Sequence, residues 1–245
     1  MKVISIVIAT FNVEEFLKDC LEKIISQKND KVELILIDGN SKDGTVEIIE
    51  SYEKYISFWL SEPDNGIYDA WNKAIKVAKG EWIMFLGADD VLLPNAIDTY
   101  LKYIENIKGS ESIISSKIRM ISEDGNGSKV VGEKWDWKKH QKGNYSLAHP
   151  GMLHKRTLFE QFGYYDTQFK ICADSEFLLR INEHVEGGFV DFVSVNMRRG
   201  GKSDSYRAIY ESFLIRKKNK SLPYFINIIR LSYRFILFSL LRLKK

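Results

Sequence analysis

Apolar residues in the first hundred positions follow two alternating rhythms. Lys2-Val3-Ile4-Ser5-Ile6-Val7-Ile8-Ala9-Thr10 is almost continuously apolar and β-branched and stops at a polar turn, which predicts a buried strand. Leu17, Cys20, Leu21, Ile24 and Ile25 follow at helical spacing. Glu33 to Ile37 is a second apolar run, closed by Asp38-Gly39-Asn40-Ser41, and Asp43-Gly44 leads into a helix over Thr45 to Tyr52. Ile56 to Leu60 reads as a strand, and Ile67 to Ala78 as a helix stopped by Gly80. Glu81 to Leu86 is another buried strand, closed by Gly87-Ala88-Asp89-Asp90, and Pro94 marks the first turn of a helix reaching Ile107. Strands this uniformly apolar, separated by helices, predict an α/β fold with a parallel sheet covered on both faces. Ligands of such sheets bind beyond the carboxyl ends of the strands. Thr10, Asn12, Asp38, Glu62, Asp64, Asp89 and Asp90 should therefore meet on one rim.

The next hundred positions change character. Ser112 to Ile121 reads as a strand, Glu123 to Gly127 as a hairpin-type turn and Lys129 to Val131 as the return. Trp135 to Tyr145 is a polar, aromatic loop, and His149-Pro150-Gly151 introduces a Met152-Leu153 strand. A helix is expected from Asp174 to Ile181 and a strand from Phe189 to Val195, followed by the loop Arg198-Arg199-Gly200-Gly201-Lys202-Ser203.

At 245 residues and 44% hydrophobic, the chain can bury a sizeable core, which excludes a disordered protein. Cys20 and Cys172 cannot make a disulfide framework, no CxxC pair suggests zinc, and a reducing compartment is expected. The opening apolar stretch is too short for a signal-peptide core, and no uninterrupted run reaches the roughly 18 residues of a membrane span. Neither secretion nor spanning is expected. The formal charge of +3 conceals a split: residues 1–198 hold 24 Lys and Arg against 31 Asp and Glu, and residues 199–245 hold 12 against 2. An acidic body carries a basic tail.

Adjacent carboxylates are costly to hold together without a cation. Asp89-Asp90 on its tight turn could chelate a hard divalent ion through oxygen, alongside a substrate diphosphate; alternatively one Asp caps the helix near Pro94. There is no GxxxxGK[ST] loop, and no GxGxxG follows the first strand, so phosphates would have to be held by metal. Asp38 either accepts from a nucleobase N–H, leaving Asn40 and Ser41 for a ribose, or closes an Asx-turn.

Five ordered blocks then resemble the family 2 inverting glycosyltransferases. They are Ser5 to Asn12, Leu34 to Thr45, Asp64 to Lys73, Gly80 to Asp90, and Ala173-Asp174-Ser175-Glu176-Phe177 at the position of the catalytic-base motif. The resemblance covers roughly residues 1–205 and implies a GT-A-like nucleotide-binding sheet of mainly parallel strands with helices on both faces. It divides the chain into a nucleotide-sugar half (1–100), an acceptor half (101–205) and a helical tail (206–245). It implies that Thr10, Asn12, Asp38, Asn40, Asn65, Gly66 and Lys73 line the nucleotide-sugar site. Asp38 would meet a uracil ring, Asp89 and Asp90 would hold ribose, diphosphate and Mn²⁺ or Mg²⁺, with Asp90 the direct ligand, and Asp174 would be the general base. An Asp before Ser-Glu-Phe also reads as a helix N-cap, which is compatible with that role. Where the family often carries an acid two places before the metal pair, this chain has Gly87. A basic residue often found at the Trp71 position is missing, with Lys73 as the substitute, and Ala173 stands where glutamate often precedes the base.

On the acceptor side, His149 could touch diphosphate or acceptor or be structural; Arg198 to Ser203 resembles the family's flexible glycine-containing loop, from which Arg199 and Lys202 could clamp the diphosphate, or is a solvated basic turn. Trp135 and Trp137 could stack on sugars or simply pack, and Cys172 reads as core filler. In the tail, Arg216-Lys217-Lys218-Asn219-Lys220 precedes an apolar helix in which Asn227, Arg230 and Arg234 form a polar stripe. Such a helix can lie in an anionic membrane interface with its cations toward headgroups; the other readings are docking on the body or a homodimer contact. The function these features imply is metal-dependent transfer of a hexose from a nucleotide sugar, UDP-linked, to a saccharide or lipid-linked saccharide, in the cytoplasm at the inner membrane face. Nucleic acid is not an expected partner. A nucleotidyltransferase or a catalytically inactive glycan-binding protein are the alternatives.

Overall fold

The computed structural model describes residues 2–107, 109–122, 125–143, 147–181, 185–201 and 205–242. Glu123, Asp124, Tyr145, Lys202, Ser203 and the last three residues of the tail, all considered above, lie outside this set. Strand β1 (Ile4–Thr10) lies between β2 (Val32–Asp38) and β4 (Trp82–Gly87), and β3 (Phe58–Ser61) adds to β2, all in parallel. The side-chain alternation explains their unbroken apolarity. Val7, Ile35, Ile37, Ile83 and Phe85 belong to one core layer, and Ile6, Ile8, Leu34, Leu36, Met84 and Leu86 to the other. Helix α3 (Ile67–Val77) contributes Tyr68, Trp71, Ala74 and Ile75 to the first layer. Helices α1 (Glu14–Ile25) and α4 (Ala96–Glu105) contribute Leu17, Leu21, Ile24, Ile97 and Tyr100 to the second, and the short α2 (Thr45–Ser51) adds Ile49. A strand buried on both faces leaves no position for a polar side chain except at its end.

Beyond β4 the sheet changes direction. Strand β8 (Leu153–Lys155) runs antiparallel to β4, β6 (Glu111–Ile121) antiparallel to β8, and β9 (Glu186–Arg198) parallel to β6. The two-residue β5 (Val91–Leu92) closes that edge antiparallel to β9, and β7 (Ser128–Val131) pairs with β6 as the hairpin signal predicts. Six of the nine described strands point one way, so the sheet is mainly parallel.

The remaining helices are α5 (Trp137–Gln141), α6 (Thr157–Phe162), α7 (Ala173–Ile181), α8 (Tyr206–Lys218) and α9 (Tyr224–Arg242). Helix α5 falls inside the stretch read as a loop; five residues are too few to display a helical period. Helix α4 begins only after Asn95, whose φ of 63° breaks the chain direction, so Pro94 precedes the helix instead of starting it. Helix α7 begins at Ala173, which places Asp174 inside the first turn and not at the cap.

The tail departs most from expectation. Arg216 is 4% exposed and donates from Nε to Asn227 Oδ1 at 2.8 Å, and Asn227 Nδ2 donates to the Phe213 carbonyl. Lys218 pairs with Asp166 and Glu176. Part of the polybasic run is thus engaged internally, and the Asn227 end of the polar stripe faces α8 instead of outward. Buried polar groups need partners, and Arg216 and Asn227 supply each other's. Helix α9 consequently turns Phe225, Ile229, Tyr233, Ile236, Leu240 and Leu241 outward. By length and composition alone it is long and apolar enough to cross a membrane, although Arg230 and Arg234 interrupt it.

Candidate active site

The strand ends do build one polar rim. At its centre the Asp38 carboxylate, with no solvent exposure, accepts from four protein donors. Thr10 Oγ1 (2.9 Å) and Ser41 Oγ (2.5 Å) reach Oδ1, and the Ser41 amide (2.9 Å) and Ser61 Oγ (2.7 Å) reach Oδ2. Burial alone would raise the proton affinity of this carboxyl, but the donors from Ser41, Ser61 and Thr10 outweigh it and hold the group below the usual range. Four donors use the lone pairs a carboxylate offers. In this arrangement Asp38 ties together the ends of β1, β2 and β3 and pins the loop that follows it. Asn12 and Asn40 sit in left-handed conformations at φ 51° and 67°. Asn12 Oδ1 accepts from the Lys42 amide at 2.9 Å and its own amide donates to Ser41 Oγ, so it stitches the two loops together. Gly39 leaves room for its neighbours: a Cβ there would lie 2.8 Å from Asp64 Oδ2 and 3.2 Å from the Phe11 ring, and those side chains would have to shift.

The acidic pair is positioned by sheet register. Val91 and Leu92 of β5 pair with Asn196 and Val195 of β9, which carries Asp89 and Asp90 alongside the end of β9 and the loop beyond it. A cavity of about 190 Å³ is lined there by Asp89, Asp90, Met120, Met197 and Arg198 to Gly201. Arg198 lies over the Phe16 ring, and the Arg199 amide donates to the Ile121 carbonyl. Asp89 is exposed and Asp90 is 4% exposed, its Oδ2 accepting from the Gly87 amide. Burial, with the Asp89 charge beside it, pushes the Asp90 carboxyl up to about 7. The absence of a side chain at Gly87 has a local reason: a Cβ would meet Asp89 Oδ1 and Asp90 Oδ2, each at 2.8 Å. Among the described residues no third acid, histidine or cysteine joins this pair in a metal-sized group.

Asp174 is partly exposed, and its Oδ1 accepts from the Tyr68 hydroxyl at 3.0 Å and the Ser175 amide at 2.7 Å. Desolvation raises its proton affinity, only partly offset by those donors. Tyr68 leads into an aromatic cluster with Trp71, Tyr165, Phe85 and His149, whose ring stacks on Trp71 at 5.1 Å. Burial pushes His149 down to about 4, so its ring is neutral at physiological pH, with Tyr165 Oη 3.5 Å from Nε2. Trp71 thus fills the place of the missing basic residue as a core aromatic that connects His149 to Tyr68.

Gly66, at φ 110°, opens α3, and the Asn65 amide donates to Asp69 while its carbonyl accepts from Lys170. Lys73 is paired with Glu62 at 2.8 Å. Lys202 lies outside the described residues. Trp135 packs: it is 9% exposed and its Nε1 donates to the Val185 carbonyl. Cys172 is likewise buried, against Ala208 of α8. The structure adds Ser61, Tyr68 and Tyr165 to the residues around the site. Tyr68 stood inside a motif already noted, but its contact with Asp174 spans 106 positions and has no sequence signal.

Residues 5–164 match the family model Glycosyl transferase family 2. A PGL/p-HBAD biosynthesis glycosyltransferase of Mycobacterium bovis is 29% identical over 180 residues, covering 72% of this chain and 68% of that one. A glycosyltransferase of Methanocaldococcus jannaschii is 31% identical over 186 residues, covering 72% and 63%. The fold is similar to that of S. aureus TarS 1-349 in complex with UDP, with a TM-score of 0.70 at 18% identity over 94% of this chain and 70% of that one. It is also similar to the mannosyltransferase PcManGT of Pyrobaculum calidifontis in complex with GDP-Man and Mn²⁺, with a TM-score of 0.65 at 17% identity, covering 90% and 64%. The chain belongs to glycosyl transferase family 2 and is a glycosyltransferase with a GT-A-like fold.

Proposed function

We propose that the chain is a metal-dependent, inverting hexosyltransferase that uses a UDP-linked donor and a hydroxyl of a lipid-linked or surface glycan. The observation that carries this reading is the cavity where Asp89 and Asp90 face the Arg198 to Gly201 loop. Two carboxylates, with no third protein ligand among the described residues, suit a Mg²⁺- or Mn²⁺-sized ion that takes its remaining oxygens from a diphosphate and water. The raised proton affinity of Asp90 fits the same role, since a cation would compensate the buried charge. Support also comes from the ligands of similar folds, UDP and UDP-GlcNAc in TarS and GDP-Man with Mn²⁺ in PcManGT. When bound, the ion would offset negative charge on the leaving diphosphate.

The chain's own groups divide the remaining work. Thr10, Asn12 and Asn40, organised around Asp38, frame the nucleoside end, with Asn65, Gly66 and Lys73 at the neighbouring end of β3. Arg199 and Lys202 meet the diphosphate, and neutral His149 can offer one hydrogen bond. Asp174 takes the proton from the acceptor hydroxyl as its oxygen attacks C1 opposite the diphosphate. The C1–O bond breaks, the diphosphate leaves with the electron pair, and the anomeric centre inverts in one displacement. No carboxylate nucleophile is needed. The outward apolar face of α9, with Arg234 beside it, holds this cytoplasmic body to the inner membrane face, where a lipid-linked acceptor would be presented.

Titration calorimetry with UDP tests the reading. We expect Mn²⁺ to tighten UDP binding at least about tenfold, and Asp90→Asn to remove that gain. Equal affinity with and without Mn²⁺ would overturn the metal-dependent reading.

A further inference from the structure

Helix α7 carries Asp174 in its first turn, directly after the loop that ends at Cys172. The first N–H groups of a helix and of the loop entering it need acceptors. Those of the entering loop are met here from α8, a helix distant in sequence. The Glu211 carboxylate, 5% exposed, accepts from three consecutive amides: Lys170 at 3.1 Å on Oε1, and Ile171 at 2.8 Å and Cys172 at 3.1 Å on Oε2. Cys172 immediately precedes α7, its carbonyl accepting from the Glu176 amide at 2.9 Å. The same peptide run reaches the proposed base by a second route. The Ile171 carbonyl lies 2.7 Å from the Tyr68 hydroxyl, which also lies 3.0 Å from Asp174 Oδ1. Glu211 therefore holds both the start of α7 and the carbonyl that orients the Asp174 partner. A buried carboxylate is expensive unless fully hydrogen-bonded, and the cation beside it, Arg207, is 63% exposed. Packing alone would be served by an apolar residue.

We propose that Glu211 is a positioning residue for glycosyl transfer, capping the loop before α7 so that Asp174 is held toward the acceptor hydroxyl. This rests on the reading of Asp174 as the base. The basic C-terminal segment then completes the catalytic apparatus, whatever else α9 does. Of the groups around Asp174, Tyr68 from α3, Tyr165 from the loop after α6 and Cys172 stay neutral at physiological pH, and the Glu211 carboxylate from α8 adds to the desolvation that raises Asp174.

The test uses the full chain with Mn²⁺ and follows UDP release from UDP-glucose, UDP-galactose or UDP-N-acetylglucosamine, whichever the unaltered protein turns over fastest. Glu211→Gln keeps the side-chain size but sets an NH₂ against an amide N–H. We expect turnover to fall about tenfold or more with UDP affinity unchanged, as for a small misplacement of a catalytic group. The acid limb of kcat/KM should move to lower pH, because desolvation still raises Asp174 but the added push from the Glu211 carboxylate is gone. Glu211→Asp keeps the charge and retracts it, so turnover should fall while the limb stays. In an Asp174→Asn background, Glu211→Gln should change turnover less than about twofold, as residues acting through one another are non-additive. Unaltered turnover in folded Glu211→Gln, or an equal loss in both backgrounds, would overturn the proposal. Full turnover in Asp174→Asn alone would instead remove the base assignment.

Discussion

Asp174 is held where desolvation favours its protonated form, with the Tyr68 hydroxyl and Ser175 amide as partial compensation. Its ionised, proton-accepting form is lost as pH falls through a value above the ordinary aspartate range. The acid limb of kcat/KM for UDP-sugar turnover should therefore lie above the range of an ordinary aspartate, and Asp174→Asn should lower kcat by at least about a hundredfold. Asp90 offers a separate stability test. Its folded value of about 7 lies above that of an ordinary aspartate, so ionising it costs the metal-free fold stability as pH rises from about 4 toward 7. Asp90→Asn cannot ionise. It should stabilise the metal-free protein at pH 8 by on the order of 2–4 kcal/mol, with the difference vanishing near pH 4, as thermal melts would show. Thr10, Asp38, Asp89 and Asp90 were placed on one rim by their positions at strand ends. The four donors to Asp38 were not, because Ser61 reaches it only through the β2–β3 pairing.

The sheet ladder does at the level of elements what no local motif could. Strand β5 is two residues long, below the length at which alternation is readable, yet its pairing with β9 brings the Arg198 loop against the acid pair. Helices α8 and α9 are joined through polar contacts at Arg216, Asn227 and the Phe213 carbonyl. Asn227→Ala should cost about 1–3 kcal/mol, the scale of a lost buried hydrogen-bonding partner, and should speed proteolysis at Lys220. Wild-type melting and nicking rates would show that α9 is held by its aromatic contacts alone, such as Phe235 and Phe238 on Tyr206. A change to Gly80 acts elsewhere: a Cβ there would lie 2.6 Å from the Ser5 amide, so Gly80→Ala should unsettle the β1–β4 register.

Across the whole molecule, charge and apolar surface divide differently. The acidic body includes the carboxylates of the site, whereas the basic tail uses Arg216 and Lys218 internally and leaves an apolar helix face outside. Exposed apolar patches of this extent mark interaction surfaces. Replacing Ile229 and Ile236, 64% and 61% exposed, with glutamate should abolish sedimentation with vesicles containing anionic lipid while leaving UDP binding intact. Unchanged vesicle binding would remove α9 as the attachment.

Periodicity and strand-end chemistry determined the class of fold and the acidic rim, because each element is written in a short local run, whereas the candidate base came from the resemblance of Ala173 to Phe177 to a family motif. Burial on both sheet faces forces continuous apolar strands, and polar side chains are then confined to their ends. The direction in which the tail faces its own body followed from tertiary contact, since Asn227 needed Arg216 as a partner and a stripe of spacing i, i+3, i+7 carries no sign for inside or outside. The same holds for the support of Asp174. Tyr68 and Glu211 reach its helix from far away in sequence, and only the closing of the chain could bring a carboxylate of α8 onto the three amides before α7.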